Sequence, residues 1–141
     1  MSDEPERKSV KVGVHQGGGP PPGYEWSVWV LDIAHPEAMD VLNPEQYAHV
    51  AEQFKELARH DDPTHSEVVD VRPIEEYYEL RDKGGVLARL NVRVFFWVDK
   101  GKRAIVVLGT INKKNDGQTP KGDRIRMRRR LRLYREGGWR P

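Results

Sequence analysis

The sequence contains no cysteine, which excludes disulfide bonds, thiolate metal sites and cysteine nucleophiles. No stretch approaches the roughly 18–20 apolar residues that a membrane-spanning helix needs. The first ten residues, MSDEPERKSV, are charged and lack the apolar core of a secretory signal. We therefore expect a cytoplasmic protein with no membrane partner.

Several signatures of common enzymes are also missing. The chain has no His-Glu-x-x-His pair, no glycine-rich phosphate loop and no nucleophile elbow. His60, Asp61, Asp62 and His65 carry atoms that bind metals, but a solvated loop after a helix explains this stretch more simply. We expect neither a bound metal nor another cofactor.

Positive charge is concentrated in the second half of the chain. Over all 141 residues, 24 basic and 22 acidic side chains nearly cancel. Residues 1–80 hold 6 basic and 17 acidic side chains, whereas residues 81–141 hold 18 basic and 5 acidic ones. This asymmetry favours a polyanionic partner for the basic half, RNA above all. Neutralisation of one half by the other within a single fold is the simpler alternative.

Apolar periodicity predicts one α+β domain over residues 24–141. A helix capped by Asn43 and opened by Pro44 runs to about His60, and Thr119-Pro120 opens a last helix by the same logic. Four segments carry strand patterns: Trp26–Ile33, Glu76–Asp82, Leu90–Val98 and Arg103–Ile111. We predict a small, mostly antiparallel sheet of about four strands, with an N-terminal helix packed on it and a basic C-terminal helix.

Residues 1–23 are predicted to form a flexible arm. The run GGGPPPG at residues 17–23 combines free glycine backbone with stiff, extended proline, and neither helix nor sheet tolerates it. Val10–Val14 alternates in polarity, so an edge strand is the alternative for that part of the arm.

The last predicted helix carries seven arginines between residues 124 and 135. Arginine grips phosphate with a planar fork and also stacks on bases. We therefore assign RNA binding to this helix and to one upstream arginine; the residues are Arg89, Arg124, Arg128, Arg129, Arg132 and Arg135. A solvated helix face, partly neutralised by the acidic half of the chain, is the alternative.

A second basic cluster is expected on the sheet. Arg89 and Arg93 are an even number of residues apart and so face the same way along a strand. If the three strands are adjacent, Arg81, Lys113 and Lys114 join them, with Glu79 and Asp82 as the nearest carboxylates. Such a cluster can stabilise the charge of a phosphorane-like transition state.

Short motifs in the second half follow a known order. They are Tyr78-Glu79-Leu80-Arg81, Val92-Arg93-Val94-Phe95-Phe96, Ile105-Val106-Val107-Leu108-Gly109, Asn112-Lys113-Lys114 and Thr119-Pro120. In order and spacing, about residues 72–136 resemble the RelE/HigB-type toxins of bacterial toxin–antitoxin systems, within the RelE/ParE superfamily.

The resemblance implies a metal-independent endoribonuclease that cleaves messenger RNA, usually on the ribosome, and is neutralised by a cognate antitoxin. Arg81, Arg93, Lys113 and Lys114 match the basic residues that hold the scissile phosphate while the neighbouring 2′-hydroxyl attacks. Tyr134 is a loose match to a tyrosine that assists proton transfer, although its place on the apolar stripe of the helix favours core packing.

Two other functions remain open at this point. One is a non-catalytic RNA- or ribosome-binding module on the same fold, which would leave RNA whole. The other is a protein-interaction domain whose basic helix binds an acidic partner, which would not bind RNA at near-physiological salt.

Overall fold

The computed structural model describes residues 7–11, 19–114, 117–137 and 139–140, of which 7–11 and 139–140 are described by their backbone alone. Within these ranges, no helix is both long enough and apolar enough to cross a membrane.

The described residues form an α+β fold, as predicted. The strands are β1 (Arg7–Lys11), β2 (Ser27–Leu31), β3 (Asp70–Pro73), β4 (Tyr78–Lys83), β5 (Asn91–Asp99), β6 (Ala104–Asn112) and β7 (Trp139–Arg140). The helices are α1 (Ala34–Val41), α2 (Pro44–Ala58) and α3 (Lys121–Arg135), and a short 3-10 turn covers Gly85–Leu87.

The sheet is larger and more mixed than predicted. Its strand order is β3-β4-β5-β6-β2-β1-β7. Strands β3 to β6 form an antiparallel meander, and β2 joins β6 in parallel, with Ser27 opposite Ala104. The prediction of about four, mostly antiparallel strands therefore needs correction. The short edge strand β3 carries no apolar alternation, and local sequence patterns do not specify the partner or direction of β2.

The helices lie on opposite faces of the sheet. On one face, α2 packs through Phe54 against Phe96 of β5, with ring centroids 5.4 Å apart. The next residue of β5, Trp97, points to the other face and contacts Tyr134 of α3. The N-terminal side has two helices rather than the one predicted, because α1 packs on β6 and β2 ahead of α2. The Asn43 cap of α2 is confirmed, with Asn43 and Gln46 bonded reciprocally.

Close packing of α3 depends on Gly109 in β6. A Cβ atom at this position would overlap the methyl group of Met127 and lie 2.7 Å from atoms of both Glu37 and Arg130. Glycine lets α3 approach the sheet closely enough to bury Met127, Leu131 and Tyr134. One helix face is thus fixed in the core, and the rest of α3 faces outwards.

Part of the predicted arm is ordered as a strand. Strand β1 (Arg7–Lys11) pairs antiparallel with β2 and lies between β2 and β7, and it shares only Val10 and Lys11 with the stretch for which an edge strand was the alternative. Residues 1–6 and 12–18 lie outside the described residues, so the flexibility of the arm stays a prediction there.

Candidate functional site

A cleft of about 710 Å³ opens over the ends of β3, β4 and β5 and is closed on one side by Gly117 and Gln118. Its charged lining comprises the cations Arg72, Arg81, Lys83 and Arg93 and the carboxylates Asp70 and Asp82. Cations therefore outnumber carboxylates on its walls.

The register of the meander brings Arg81 and Arg93 together. They are paired directly across β4 and β5, so both side chains project from the same face of the sheet. Arg93 is only 1% exposed. Its Nη1 donates to Glu79 Oε1 at 3.2 Å and to the carbonyl oxygen of Gly117 at 3.2 Å. Its buried Nε has no hydrogen-bond partner among the described residues. The described residues therefore leave one N–H of this buried guanidinium unpaired.

Glu79 lies beneath these arginines and is completely buried. Arg81 donates from Nε to Glu79 Oε2 at 2.7 Å, and the hydroxyl of Thr119 donates to Oε1. Thr119 was expected to cap the last helix. Instead, Pro120 occupies the cap position of α3, where no side chain caps the helix, and Thr119 binds Glu79.

The two lysines flank the cleft rather than line it. They follow directly after β6, and the backbone N–H of Lys113 donates to the carbonyl oxygen of Asn91, a cleft residue, at 2.8 Å. Lys113 is 8% exposed, whereas Lys114 is exposed to solvent. The predicted cluster of Arg81, Arg93, Lys113 and Lys114 thus lies at one end of the sheet.

Tyr134 lies at the opposite end of the sheet. Its hydroxyl donates to Asp99 Oδ2 at 2.7 Å, and burial together with this bond raises the pKa of Tyr134 well above its usual value. Asp99 is six residues beyond Arg93 on β5, a separation of roughly 20 Å along a strand. The structure therefore does not bring Tyr134 to the cleft.

Two arginines of α3 form a structural anchor. Arg130 is buried and donates to both carboxylate oxygens of Glu37 at 3.0 Å and to the carbonyl oxygen of Leu108 at 2.7 Å. Arg126 also binds Glu37. Burial alone would raise the pKa of Glu37, but bonds from Arg130 and from the Thr110 N–H outweigh it and keep that pKa below its usual value.

The arginines of α3 predicted to bind RNA fall into two groups. Arg128 and Arg135 lie 3.4 Å from Glu75 and Glu76, so the acidic half neutralises them in part. Arg129 and Arg132 are exposed and form no ion pair within the described part of the chain. Arg124 is half-buried, and its Nε lacks a partner there as well.

Arg89 is not on a strand, contrary to the prediction. It is exposed in the turn between the 3-10 segment and β5, which begins only at Asn91. It lines a separate groove beside Met39 and Asp40 of α1. The even spacing of Arg89 and Arg93 therefore does not place them on one face, because the alternation of a strand starts two residues after Arg89.

The stretch with metal-binding atoms has other contacts. His60 Nε2 lies 2.8 Å from Glu56 Oε2, and Asp62 accepts hydrogen bonds from Thr64. Within the described ranges, no group of three or more His, Asp or Glu side chains has an arrangement suited to a metal ion.

Sequence reasoning missed the central role of Glu79 and Thr119. One signal was available: Glu79 and Arg81 are two residues apart on a strand and therefore share a face. The contact with Thr119 joins positions 40 residues apart, and no local pattern predicts it.

A comparison with known protein families gives a match that begins upstream of the motifs at about residues 72–136. The sequence profile of a family described as "Phage derived protein Gp49-like (DUF891)" matches residues 37–132, more than half of the chain. The match begins at Glu37 in α1 and includes every strand and loop that lines the cleft. No curated protein matches the sequence.

Proposed function

Because the chain belongs to the Gp49-like family, a RelE/HigB-type toxin family of toxin–antitoxin systems, we propose that it is an endoribonuclease that cleaves messenger RNA. In this proposal the cleavage takes place on the ribosome without a metal ion, and a cognate antitoxin protein holds the enzyme inactive. The family association supports the toxin and antitoxin parts, whereas the geometry of the cleft supports the chemistry.

The observation that carries the proposal is the direct pairing of Arg81 and Arg93 across β4 and β5, where both residues line the cleft. A phosphodiester in the cleft would accept hydrogen bonds from the N–H groups of Arg81 that Glu79 does not use, with the positive charge of Arg93 beside it. The attraction between opposite charges is strongest where water is excluded, and Arg93 is almost wholly buried.

The proposed reaction is an internal transfer at phosphorus. The 2′-oxygen forms a bond to phosphorus while the bond to the 5′-oxygen breaks, which leaves a 2′,3′-cyclic phosphate and a free 5′-hydroxyl. The 2′-hydroxyl loses a proton and the leaving oxygen gains one. Arginine stays protonated at any physiological pH, so Arg81 and Arg93 act by positioning and by stabilising charge, with Lys113 and Lys114 beside them.

In the same proposal, the outer surface of α3 holds RNA without taking part in the reaction. Arg129 and Arg132 are exposed and lack carboxylate partners in the described part of the chain, so they can neutralise phosphates. Arg124, Arg128 and Arg135 extend this surface, and Arg89 makes a separate contact.

Expression without the antitoxin tests the proposal. We expect the wild-type protein to arrest bacterial growth and to cut messenger RNA, and the double variant Arg81→Gln, Lys114→Gln, which keeps the buried pair of Arg93 and Glu79, to do neither while remaining folded. The exposed Glu52→Gln variant on α2 serves as the matched control and should arrest growth as the wild type does. Unarrested growth with intact RNA in cells that contain folded wild-type protein would refute it.

A non-catalytic RNA- or ribosome-binding module is the second candidate. The observation that favours it is that Glu79 already pairs with Arg81 and Arg93, which lowers the positive charge available for a transition state. Both candidates predict RNA binding that weakens steeply with salt. They differ in a cleavage assay on ribosomes programmed with end-labelled messenger RNA, where a binding module leaves the label in full-length RNA.

A further inference from the structure

We propose that Glu79 is a positioning residue: its buried carboxylate holds Arg81, Arg93 and the loop before α3 in the arrangement that binds the scissile phosphate. The inference rests on the proposed function and adds to it a residue that does not touch RNA. It assigns to Glu79 the role of organising three separate elements around the cleft.

The contacts of Glu79 come from three parts of the chain. Arg81 donates to one oxygen from its own strand β4, and Arg93 donates to the other from β5. Thr119, in the loop after β6, donates its hydroxyl to the same oxygen as Arg93. A carboxylate accepts at both oxygens and donates at neither, so it suits a position that is surrounded by donors.

The second observation concerns the loop itself. The carbonyl oxygen of Gly117 accepts from Arg93 Nη1 at 3.2 Å, only two residues before Thr119. The loop is therefore attached to the arginine pair twice, once directly and once through Glu79.

The burial of Glu79 limits its carboxylate to a structural role. Glu79 is fully buried, and a buried charge is stable only when it is paired and hydrogen-bonded. Its oxygens are occupied by Arg81, Arg93 and Thr119, so neither is directed to a substrate. The carboxylate therefore holds both guanidinium groups in place, and the N–H groups of Arg81 that it does not bind remain for the ligand.

Three variants test whether Glu79 acts by positioning Arg81, Arg93 and the loop or only by supplying a negative charge. Glu79→Gln keeps the shape but introduces an NH₂ group that faces an arginine donor. Thr119→Val removes only the hydroxyl contact and leaves both ion pairs, and Thr119→Ser restores the hydroxyl. Glu52→Gln, an exposed carboxylate on α2, is the control for the loss of one negative charge.

The first readout is single-turnover cleavage of end-labelled messenger RNA on programmed ribosomes, measured together with RNA affinity. We expect Glu79→Gln to slow cleavage by roughly a hundredfold, since a misplacement of about 1 Å can cost that much. RNA affinity should stay unchanged or tighten, because the variant removes a negative charge beneath the cleft. Thr119→Val should slow cleavage by a smaller factor, and Thr119→Ser should recover it. Cleavage by folded Glu79→Gln within twofold of the wild type would overturn the inference.

The second readout needs no cleavage. The Nε–H resonance of Arg93 is followed by nitrogen–proton NMR in the full-length protein during titration with the dinucleotide ApG. In the wild type this resonance should be sharp and should shift on binding, whereas in Glu79→Gln it should be broadened before ligand is added. An identical resonance and identical shift in both proteins would overturn the role of Glu79. A wild type that shows the shift but cuts no RNA, beside a Glu79→Gln variant whose resonance is broadened, would remove the proposed nuclease and support the positioning role.

Discussion

Arg130 in α3 and Glu37 in α1 form a bidentate salt bridge, in which both Glu37 oxygens accept hydrogen bonds from Arg130 at 3.0 Å. The pair lies against Gly109 of β6, and Arg126 adds a further contact to the same carboxylate. An arginine-rich helix thus combines two kinds of residue, some that attach it to the fold and some that face solvent.

Replacement of Arg130 with glutamine should destabilise the protein. The variant leaves Glu37 partly buried with its strongest partner gone, and we expect a loss of about 3 kcal/mol in the free energy of unfolding, the lower end for a broken buried ion pair. Urea unfolding measures it. The matched variant Arg129→Gln, on the exposed face of the same helix, should unfold as the wild type does. Equal stabilities for the two variants would contradict the anchor role.

The exposed arginines should affect RNA affinity instead. In the double variant Arg129→Gln, Arg132→Gln we expect the slope of log affinity against log salt to become shallower by about 1 for each phosphate that is no longer neutralised. Filter binding at several salt concentrations gives the slope, and the thermal midpoint should not change. A slope equal to that of the wild type would show that RNA does not contact this face.

Gly109 should not tolerate a side chain. Gly109→Ala places a methyl group against Met127, Glu37 and Arg130, and overpacking of this kind costs about 1–3 kcal/mol. Gly122→Ala is the control, because nothing lies within 4 Å of a Cβ at that position in α3. Calorimetry should show a lowered midpoint for the first variant and an equal or higher one for the second.

The Tyr134→Phe variant should lower the stability of the protein without changing its cleavage of messenger RNA. Loss of the hydroxyl leaves Asp99 without its buried donor, and hydrogen bonds to charged groups contribute about 1.5–3 kcal/mol. Messenger RNA cleavage should be unaffected at a temperature where the variant is folded. A folded variant with normal stability and no cleavage would instead indicate a role for Tyr134 in proton transfer.

Stability should decline at alkaline pH through Tyr77. Burial, with a smaller contribution from Glu75, raises the pKa of Tyr77 to about 12, and its hydroxyl donates to the carbonyl oxygen of Arg124 at 3.0 Å. Because the folded-state pKa exceeds the unfolded one, the contribution is complete below about pH 10 and is lost as pH rises through about 12. Unfolding of wild type and Tyr77→Phe across this range tests the sign, since the variant should show the shallower decline.

Local sequence patterns were sufficient to predict α2, β5 and β6. Asn43 and Pro44 mark the start of α2, and the alternation of β5 runs over nine residues with little interruption. Helix α1 escaped prediction because it has eight residues, includes Pro36 in its first turn and lacks a side-chain cap. Such a helix depends on tertiary packing, here of Ala34 and Ala38, rather than on propensity.

In the candidate site, too, local sequence patterns predicted some features and tertiary contacts determined the others. Strand alternation and the order of the motifs were enough to expect Arg81 and Arg93 on a common surface. Glu79 was noticed only as a nearby carboxylate, because its function depends on Arg93 and Thr119, which reach it through the tertiary fold. The prediction for Arg89 was wrong for a different reason. Arg89 and Arg93 are an even number of residues apart, but β5 begins only at Asn91 and does not include Arg89.

The parallel pairing of β2 with β6 has a consequence for biosynthesis. All five residues of β2 are buried in the finished fold, yet β6, which covers one edge of that strand, is translated only after two helices and three further strands. A nascent chain must therefore carry an apolar strand without its parallel neighbour, a state that aggregates readily and attracts chaperones. Strand β6 also precedes the loop with Gly117 and Thr119, so the cleft is completed later still. Truncated translation products that end before β6 should accordingly be both unstable and harmless to the cell that makes them.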